Sequence, residues 1–308
     1  MKELIIATRK SQLALWQSEY VKDFLQKKHS IKVRLEGFKT KGDVILDTPL
    51  AKIGGKGLFT KELEESMLRG EAHLAVHSLK DVPSFFPKGL KLAAISKREQ
   101  SNDAMLSQNY ESLNALPKGA KVGTTSLRRK MQLLALRSDL NIISLRGNVN
   151  SRIQKLKNGE FDAIILAQAG IKRLGLDKEV KFLYPFSKDE LVPAAAQGAL
   201  GIEAIEDEEI LSLLECLNDE NAYIETRIER DFIKTLEGGC QVPIGINAEL
   251  KKDEIIIRAV LGLPDGSEFL KEKQSIKKDE FENYGEKLAK LFIQRGAKDL
   301  LKRAEEMI

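Results

Sequence analysis

Apolar positions in the first part of the chain follow two alternating periods. Residues 4–8 form a short apolar run of the kind that makes a buried strand. Across residues 11–28 the large side chains fall at Leu13, Trp16, Tyr20 and Phe24, a spacing that predicts a helix. Residues 31–38 alternate apolar and polar, as a half-buried strand does. A helical stripe returns over 58–68 through Phe59, Leu63 and Met67, and 74–77 reads as another buried strand. This order predicts a βαβαβ unit with a parallel sheet and right-handed crossovers. The same order recurs from residue 121, with strands at 121–125, 141–145 and 161–167 and helices at 127–137 and 149–157.

Further along, the pattern changes. Residues 221–236 set Ile224, Ile228, Phe232 and Leu236 in helical register, and Gly238-Gly239 supplies a stop. Ile244, Ile246, Ala248 and Leu250 alternate with polar residues, and a Lys-Lys-Asp turn leads into a strand over 254–261. A third strand near 268–275 and one or two helices within 279–306 complete a small C-terminal α+β domain. The expected fold class is α/β, with two doubly wound units preceding that domain.

Composition narrows the function classes. A chain of 308 residues exceeds the usual span of one core, so two or three domains are expected. Fifty basic and 46 acidic residues are spread along it and leave a net charge of only +4. Without basic clustering, and with aromatics at 6%, no nucleic-acid partner is expected. No apolar run approaches the roughly 18 residues of a membrane span, so no membrane partner is expected. The opening residues make too short an apolar stretch for a secretory signal. Two cysteines without CxxC spacing argue against a disulfide scaffold or a zinc ribbon. The cytoplasm is the expected compartment.

The candidate chemistry collects where strands run into helices. One strand leads into Thr8-Arg9-Lys10-Ser11, the other into Thr124-Thr125-Ser126-Leu127-Arg128-Arg129. Each junction puts hydroxyls, free backbone N–H groups and guanidinium at a helix N-terminus, which suits a carboxylate or phosphate. Arginine there opposes the helix dipole, so stability alone does not call for it. Lys80 and Asp81 fall at the carboxyl end of a buried strand, where a doubly wound sheet keeps its ligand groups. They read either as a proton-transfer and cation-stabilising pair or as a surface ion pair. Arg146 and Arg152 flank a small-residue turn at the next helix start, and Lys52 and Lys56 lie in a glycine-rich loop. That loop, Ile53-Gly54-Gly55-Lys56-Gly57, fits no nucleotide signature. So many cations near one cleft point to a ligand with several negative charges. His73 and His77 sit four apart on a strand without converging, so no metal site is expected.

Cys240 occupies Glu237-Gly238-Gly239-Cys240-Gln241-Val242-Pro243, a loop whose glycines permit close approach. By itself it reads first as an ordinary thiol, and the alternative, an attachment point, gains weight only from residues elsewhere in the chain. Cys216, beside Leu213, Leu214 and Leu217, reads as structural.

Together these segments resemble one family. Ala7-Thr8-Arg9-Lys10-Ser11-Gln12-Leu13-Ala14-Leu15-Trp16, Gly42-Asp43-Val44-Ile45-Leu46-Asp47, His77-Ser78-Leu79-Lys80-Asp81-Val82-Pro83 and Arg146-Gly147-Asn148-Val149-Asn150 match porphobilinogen deaminases (hydroxymethylbilane synthases). So do residues 54–59, 123–129, 193–198 and 239–245, in the same order. The resemblance implies tetrapyrrole biosynthesis, in which four porphobilinogens join head to tail, losing four ammonia molecules, to give linear hydroxymethylbilane. It implies a covalent dipyrromethane cofactor, joined by thioether at Cys240, and Asp81 as the catalytic carboxylate. It further implies that Lys80, Asp81, Thr125, Ser126, Arg128, Arg129 and Arg146 hold the cofactor. Substrate contacts would be Arg9, Ser11, Lys52, Lys56, Arg146, Arg152, Arg173 and Gln197.

The family's fold has two periplasmic-binding-protein-like α/β domains and a third domain bearing the cysteine loop. The corresponding boundaries here are 1–97 with 197–216, then 98–196 as an insertion, then 217–308. The family also suggests a monomer. A non-catalytic small-anion binding protein is the competing reading, but it has no use for the cysteine loop. Residues after 250 diverge most, so there only the fold carries over.

Overall fold

The computed structural model describes residues 3–44, 57–237 and 242–307. By internal contacts the chain divides into two compact units. Among the described residues, the first unit comprises those up to 44, 57–99 and 199–223, and the second comprises 100–198 and those from 224 onward.

The first unit is built on one five-stranded sheet. Strand β1 (Leu4–Arg9) pairs in parallel with β2 (Val33–Phe38) and β3 (Leu74–Ser78). Helix α1 (Gln12–His29) connects β1 and β2. Ser11 starts it, its hydroxyl accepting from the Ala14 N–H at 3.3 Å, and Lys27, Lys28 and His29 complement the dipole at its end. A short helix, α2 (Lys41–Val44), and α3 (Lys61–Leu68) lie between β2 and β3. The sheet ends with β4 (Leu90–Ile95), but β10 (Leu200–Ile205) stands between β3 and β4, antiparallel to both. Helix α7 (Glu208–Leu214) follows β10 and packs Ile210 and Leu214 into the core beside Leu4, Ile6, Val21 and Leu25.

A second sheet repeats this plan. Its strand order is β7-β6-β8-β5-β9, from β5 (Asp103–Ser107), β6 (Lys121–Gly123), β7 (Asn141–Ile143), β8 (Ala163–Ala167) and β9 (Phe182–Pro185). Strands β6, β7 and β8 are parallel, and β5 runs antiparallel to both of its neighbours. Helices α4 (Leu127–Leu136), α5 (Val149–Lys157) and α6 (Gln168–Arg173) follow β6, β7 and β8. Ser126 and Asn148 cap α4 and α5 by accepting from the Arg129 and Ser151 N–H groups.

The strands expected in the two βαβαβ units are parallel, but each sheet is mixed, because one further strand in each runs antiparallel to its neighbours. The antiparallel strand in each case is a segment that the chain supplies on its way out of or back into the first sheet. Residues 103–107 and 200–205 are almost wholly buried, so they show no period-two alternation to reveal a strand or its direction.

The C-terminal sheet is an antiparallel meander of β11 (Ile244–Lys251), β12 (Glu254–Gly262) and β13 (Phe269–Lys277). Helices α8 (Glu220–Thr235), α9 (Tyr284–Gln294) and α10 (Ala297–Glu306) complete this region. Ile228 and Phe232 of α8 meet Ile246, Ile257, Leu288, Phe292 and Leu300 in one apolar cluster. The Phe232 and Phe292 rings pack edge to face, 5.2 Å apart.

Helices α8 and α9 approach so closely that a Cβ on Gly285 would lie 2.0 Å from the Ile228 carbonyl oxygen. Backbone on both sides leaves nothing to rotate away. Gly285→Ala is expected to destabilise the protein by about 1–3 kcal/mol, an overpacking cost, measured as a lowered urea midpoint against wild type.

Candidate active site

In the first unit, Arg9 ends β1 and Ser11 caps the next helix. The Arg9 guanidinium pairs with Asp43, with Nε donating to Oδ2 at 3.2 Å and Nη2 to Oδ1. It also lies over the Phe59 ring, 4.3 Å from the centroid. Burial raises the Asp43 carboxyl pKa, but hydrogen bonds from Arg9 and Thr40 outweigh it and hold the group below the ordinary value.

Lys80 and Asp81 sit on a single 3-10 turn, Leu79–Asp81, directly after β3. Two contacts fix where that turn leaves the sheet. The Leu79 N–H donates to the Ala199 carbonyl at 3.0 Å, and Gln17 Nε2 of α1 donates to Ser78 Oγ at 2.8 Å. Both residues of the pair are half-buried. Among the described residues, the Asp81 carboxylate has no hydrogen-bond or ion-pair partner.

Beneath this strand end, His77 Nε2 lies 2.9 Å from Glu203 Oε2, and both residues are buried. His73 Nδ1 instead accepts from the Ile5 N–H at 2.9 Å. The two histidines thus have separate hydrogen-bonding partners. Cys216 donates to the Leu213 carbonyl at 3.3 Å, and burial pushes its thiol pKa up, as suits a structural cysteine.

In the second unit, three of the expected binding residues converge on Asp103 of β5. Arg129 Nη2 donates to Asp103 Oδ1 at 2.6 Å, and Arg128 Nη1 forms an ion pair with Oδ2 at 2.8 Å, outside hydrogen-bond alignment. Gln197 Nε2 donates to the same Oδ1 at 3.0 Å and to the Ser101 carbonyl at 2.6 Å. Arg128 and Arg129 also reach the Val192 and Ile165 carbonyls at 2.7 and 2.9 Å. Arg128, Arg129 and Gln197 are 4%, 6% and 1% exposed, and Asp103 is fully buried. Burial raises the Asp103 pKa, but the two guanidinium charges outweigh it and keep the carboxyl well below its ordinary value. Arg129 Nε is buried without a hydrogen-bond partner among the described residues.

The remaining expected residues lie around the adjoining turns. Thr125 Oγ1 donates to the Leu145 carbonyl at 3.4 Å, and Ser126 serves as the α4 cap. Burial lowers the pKa of Arg146, and Arg152 Nε donates to the Gly147 carbonyl at 2.8 Å. Gly147 has φ +114°, and a Cβ there would meet Ser151 Oγ. Arg173 Nη2 donates to the Gly198 carbonyl at 2.7 Å.

Cys240, Lys52 and Lys56 lie outside the described residues. Both ends of the cysteine loop, however, are described. On one side Glu237 has φ +57°, and its N–H donates to the Lys234 carbonyl at 3.1 Å. On the other side, β11 is anchored by the Ile246 N–H to the Pro193 carbonyl at 3.0 Å. A Cβ at Gly245 would stand 2.8 Å from the Val192 carbonyl oxygen, so only glycine permits that approach.

The comparisons with known proteins decide the family. The model described as "Porphobilinogen deaminase, dipyromethane cofactor binding domain" matches residues 4–212, and its C-terminal domain model matches 223–294. The chain belongs to the porphobilinogen deaminase family. A porphobilinogen deaminase of Campylobacter jejuni subsp. jejuni is 78% identical over 306 residues, covering 99% of this chain and 100% of its own. The Campylobacter lari protein of the same name is 74% identical over 307 residues, again covering 99% and 100%.

Among solved structures, the periplasmic VFT2 domain of Bordetella pertussis BvgS has a TM-score of 0.42 at 15% identity, covering 69% of this chain and 85% of that one. A TRAP periplasmic solute binding protein of Desulfovibrio salexigens also scores 0.42 at 15% identity, covering 71% and 73%. The fold assignment, two mixed α/β sheets and a small C-terminal domain, rests on the strand orders and the family models.

Reasoning from sequence did not single out Asp43, Phe59 or Asp103 as site components. Asp103 carried one signal, an acidic residue opening the apolar run Asp-Ala-Met-Leu. Removing its charge leaves two buried guanidinium groups without their shared counter-ion. Asp103→Asn is expected to destabilise the protein by about 3–5 kcal/mol at neutral pH. Because the folded pKa is depressed, this stability is present above the unfolded value near 3.9 and is lost as pH falls through the folded one. Urea titrations of both proteins across that window should show their difference shrinking as the solution becomes more acidic.

Proposed function

We propose that this chain performs the reaction of its family in porphyrin biosynthesis, joining four porphobilinogens into linear hydroxymethylbilane. Catalysis is assigned to Asp81, and covalent anchorage of the dipyrromethane cofactor to Cys240. The observation that carries the reading is the family match over nearly the whole chain, together with an Asp81 carboxylate that has no partner among the described residues.

Each addition breaks the bond between the substrate's aminomethyl carbon and its amine, releasing ammonia, and forms a bond from that carbon to an unsubstituted pyrrole carbon, which gives up its proton. After the fourth addition water cleaves the bond that holds the tetrapyrrole and supplies its terminal hydroxyl. Loss of the amine leaves an electron-poor, cationic pyrrole. An ionised Asp81 accepts a hydrogen bond from the pyrrole N–H and stabilises the developing charge. The same carboxylate is placed to take up and return protons as the ring regains aromaticity. Lys80 on the same turn supplies a positive charge for the carboxylates of the cofactor.

Dipyrromethane, when bound, supplies the pyrrole carbon at which elongation begins. The residues present suit a group bearing carboxylates. Arg129 keeps a buried Nε donor without a hydrogen-bond partner among the described residues, and Thr125 and Ser126 precede it on the same strand-to-helix junction. Arg128, Arg129 and Arg146 with Lys80 are assigned to the cofactor. Arg9, Ser11, Lys52, Lys56, Arg146, Arg152, Arg173 and Gln197 are assigned to the incoming substrate and growing chain. Each porphobilinogen brings an acetate and a propionate, so negative charge accumulates with every step, and arginine forks suit it better than lysine.

In this reading the domains are 1–97 with 197–216, 98–196 and 217–308, and the protein works as a cytoplasmic monomer. Among the described residues, no helix is long and apolar enough to cross a membrane.

Intact mass under denaturing conditions, after incubation with porphobilinogen, tests the assignment directly. The Cys240 peptide is expected to carry two pyrrole units, with heavier species spaced by one unit. An unmodified Cys240 would instead leave a small-anion binding protein. Asp81→Asn is expected to keep the two-unit adduct while turnover falls by at least about 100-fold. Turnover close to wild type would remove Asp81 from the chemistry.

A further inference from the structure

The Arg9 guanidinium is constrained on two sides by residues to which no binding role has been assigned. Asp43 occupies the edge made by Nε and Nη2, and the Phe59 ring covers one face. Asp43 is held in turn by Thr40, which is fully buried. The Thr40 hydroxyl donates to Asp43 Oδ2 at 2.7 Å and its backbone N–H to the same oxygen at 3.3 Å. Phe59 is fixed as well. A Cβ on Gly42 would lie 2.1 Å from the Phe59 ring, and the Gly42 N–H donates to the Leu58 carbonyl at 3.0 Å.

A guanidinium has five N–H donors, and Asp43 uses two of them. Among the described residues, the Nη1 donors and the second Nη2 donor of Arg9 have no protein partner. They form the second edge of the fork, which matches a carboxylate in bidentate geometry. The arginine is about one-quarter exposed, so this edge is reachable. A freely rotating arginine would lose side-chain entropy on binding, whereas this one is already ordered before the ligand arrives.

We propose that Asp43, backed by Thr40 and Phe59, is a positioning residue that presents the outer edge of Arg9 to a carboxylate of the pyrrole substrate. Asp43 acts through Arg9 and does not touch the substrate. The inference rests on the assignment of Arg9 to substrate binding made above, and it adds the groups that orient it.

Steady-state kinetics on the cofactor-loaded enzyme test it, using Arg9→Lys, Asp43→Asn, Thr40→Val and the Arg9→Lys/Asp43→Asn double variant. Arg9→Lys should raise KM for porphobilinogen, since an ammonium has no fork to orient. Asp43→Asn should raise KM about tenfold, with kcat within about twofold of wild type and a thermal midpoint close to it, because the pair is part-exposed. Thr40→Val should raise KM in the same direction by a smaller factor. The double variant should be no worse than Arg9→Lys alone, the non-additivity expected when one residue acts through the other.

Effects that multiply in the double variant, or an unchanged KM in Asp43→Asn beside a raised one in Arg9→Lys, would overturn the positioning role and leave Arg9 as a binding residue. An unchanged KM in Arg9→Lys would overturn the substrate assignment itself, and the positioning role with it.

Discussion

One carboxylate held between two guanidinium groups, out of contact with water, is the constraint on which the second unit depends. Asp103 opens β5, Arg128 and Arg129 open α4, and Gln197 comes from the segment returning toward β10. Three distant stretches of chain therefore meet at one charge. A buried ion alone would be prohibitively unfavourable, but here two positive charges and an amide offset the lost hydration. The geometry also explains why basic residues are tolerated at a helix N-terminus, where the dipole repels them. Their charge is answered from the sheet beside them.

The same arrangement changes the electrostatic picture drawn from sequence. A crowd of cations suggested a cleft that only a polyanion could make stable. In the folded chain Arg9, Arg128 and Arg129 already have carboxylate partners, so the protein can hold its basic groups in place before any ligand binds. The internal partners leave particular donors over, such as Arg129 Nε and the outer edge of Arg9. Recognition then depends on which N–H groups remain and where they point, more than on total charge.

Much of this was legible in the residues. Ser11 and Ser126 announced helix starts because a hydroxyl before an amphipathic run has a specific hydrogen bond to make, and both make it. The parallel strands β1, β3, β6 and β8 were readable as short apolar runs between such helices. The antiparallel partners β5 and β10 were not, because strands covered on both faces carry no alternation, and direction leaves no mark on composition. Asp43 and Asp103 were hidden for a related reason. Spacing along the chain says which side chains share a face of one element, whereas these carboxylates meet arginines 34 and 26 residues away. Cys240 was conspicuous from its setting, but it lies outside the described residues.

The position of β10 has a consequence for how the protein is made. The first sheet draws four strands from residues before 96 and its fourth-place strand from residues 200–205. While the ribosome is still delivering the second sheet, β3 and β4 have no neighbour between them and present unpaired edges. Such edges are templates for pairing with other chains. The first unit to be synthesised is thus the one that must wait, and the inserted sheet can close before the sheet that surrounds it in sequence. Co-translational folding of this chain would run from the inside of its sequence outward, with chaperone engagement concentrated on its earliest residues.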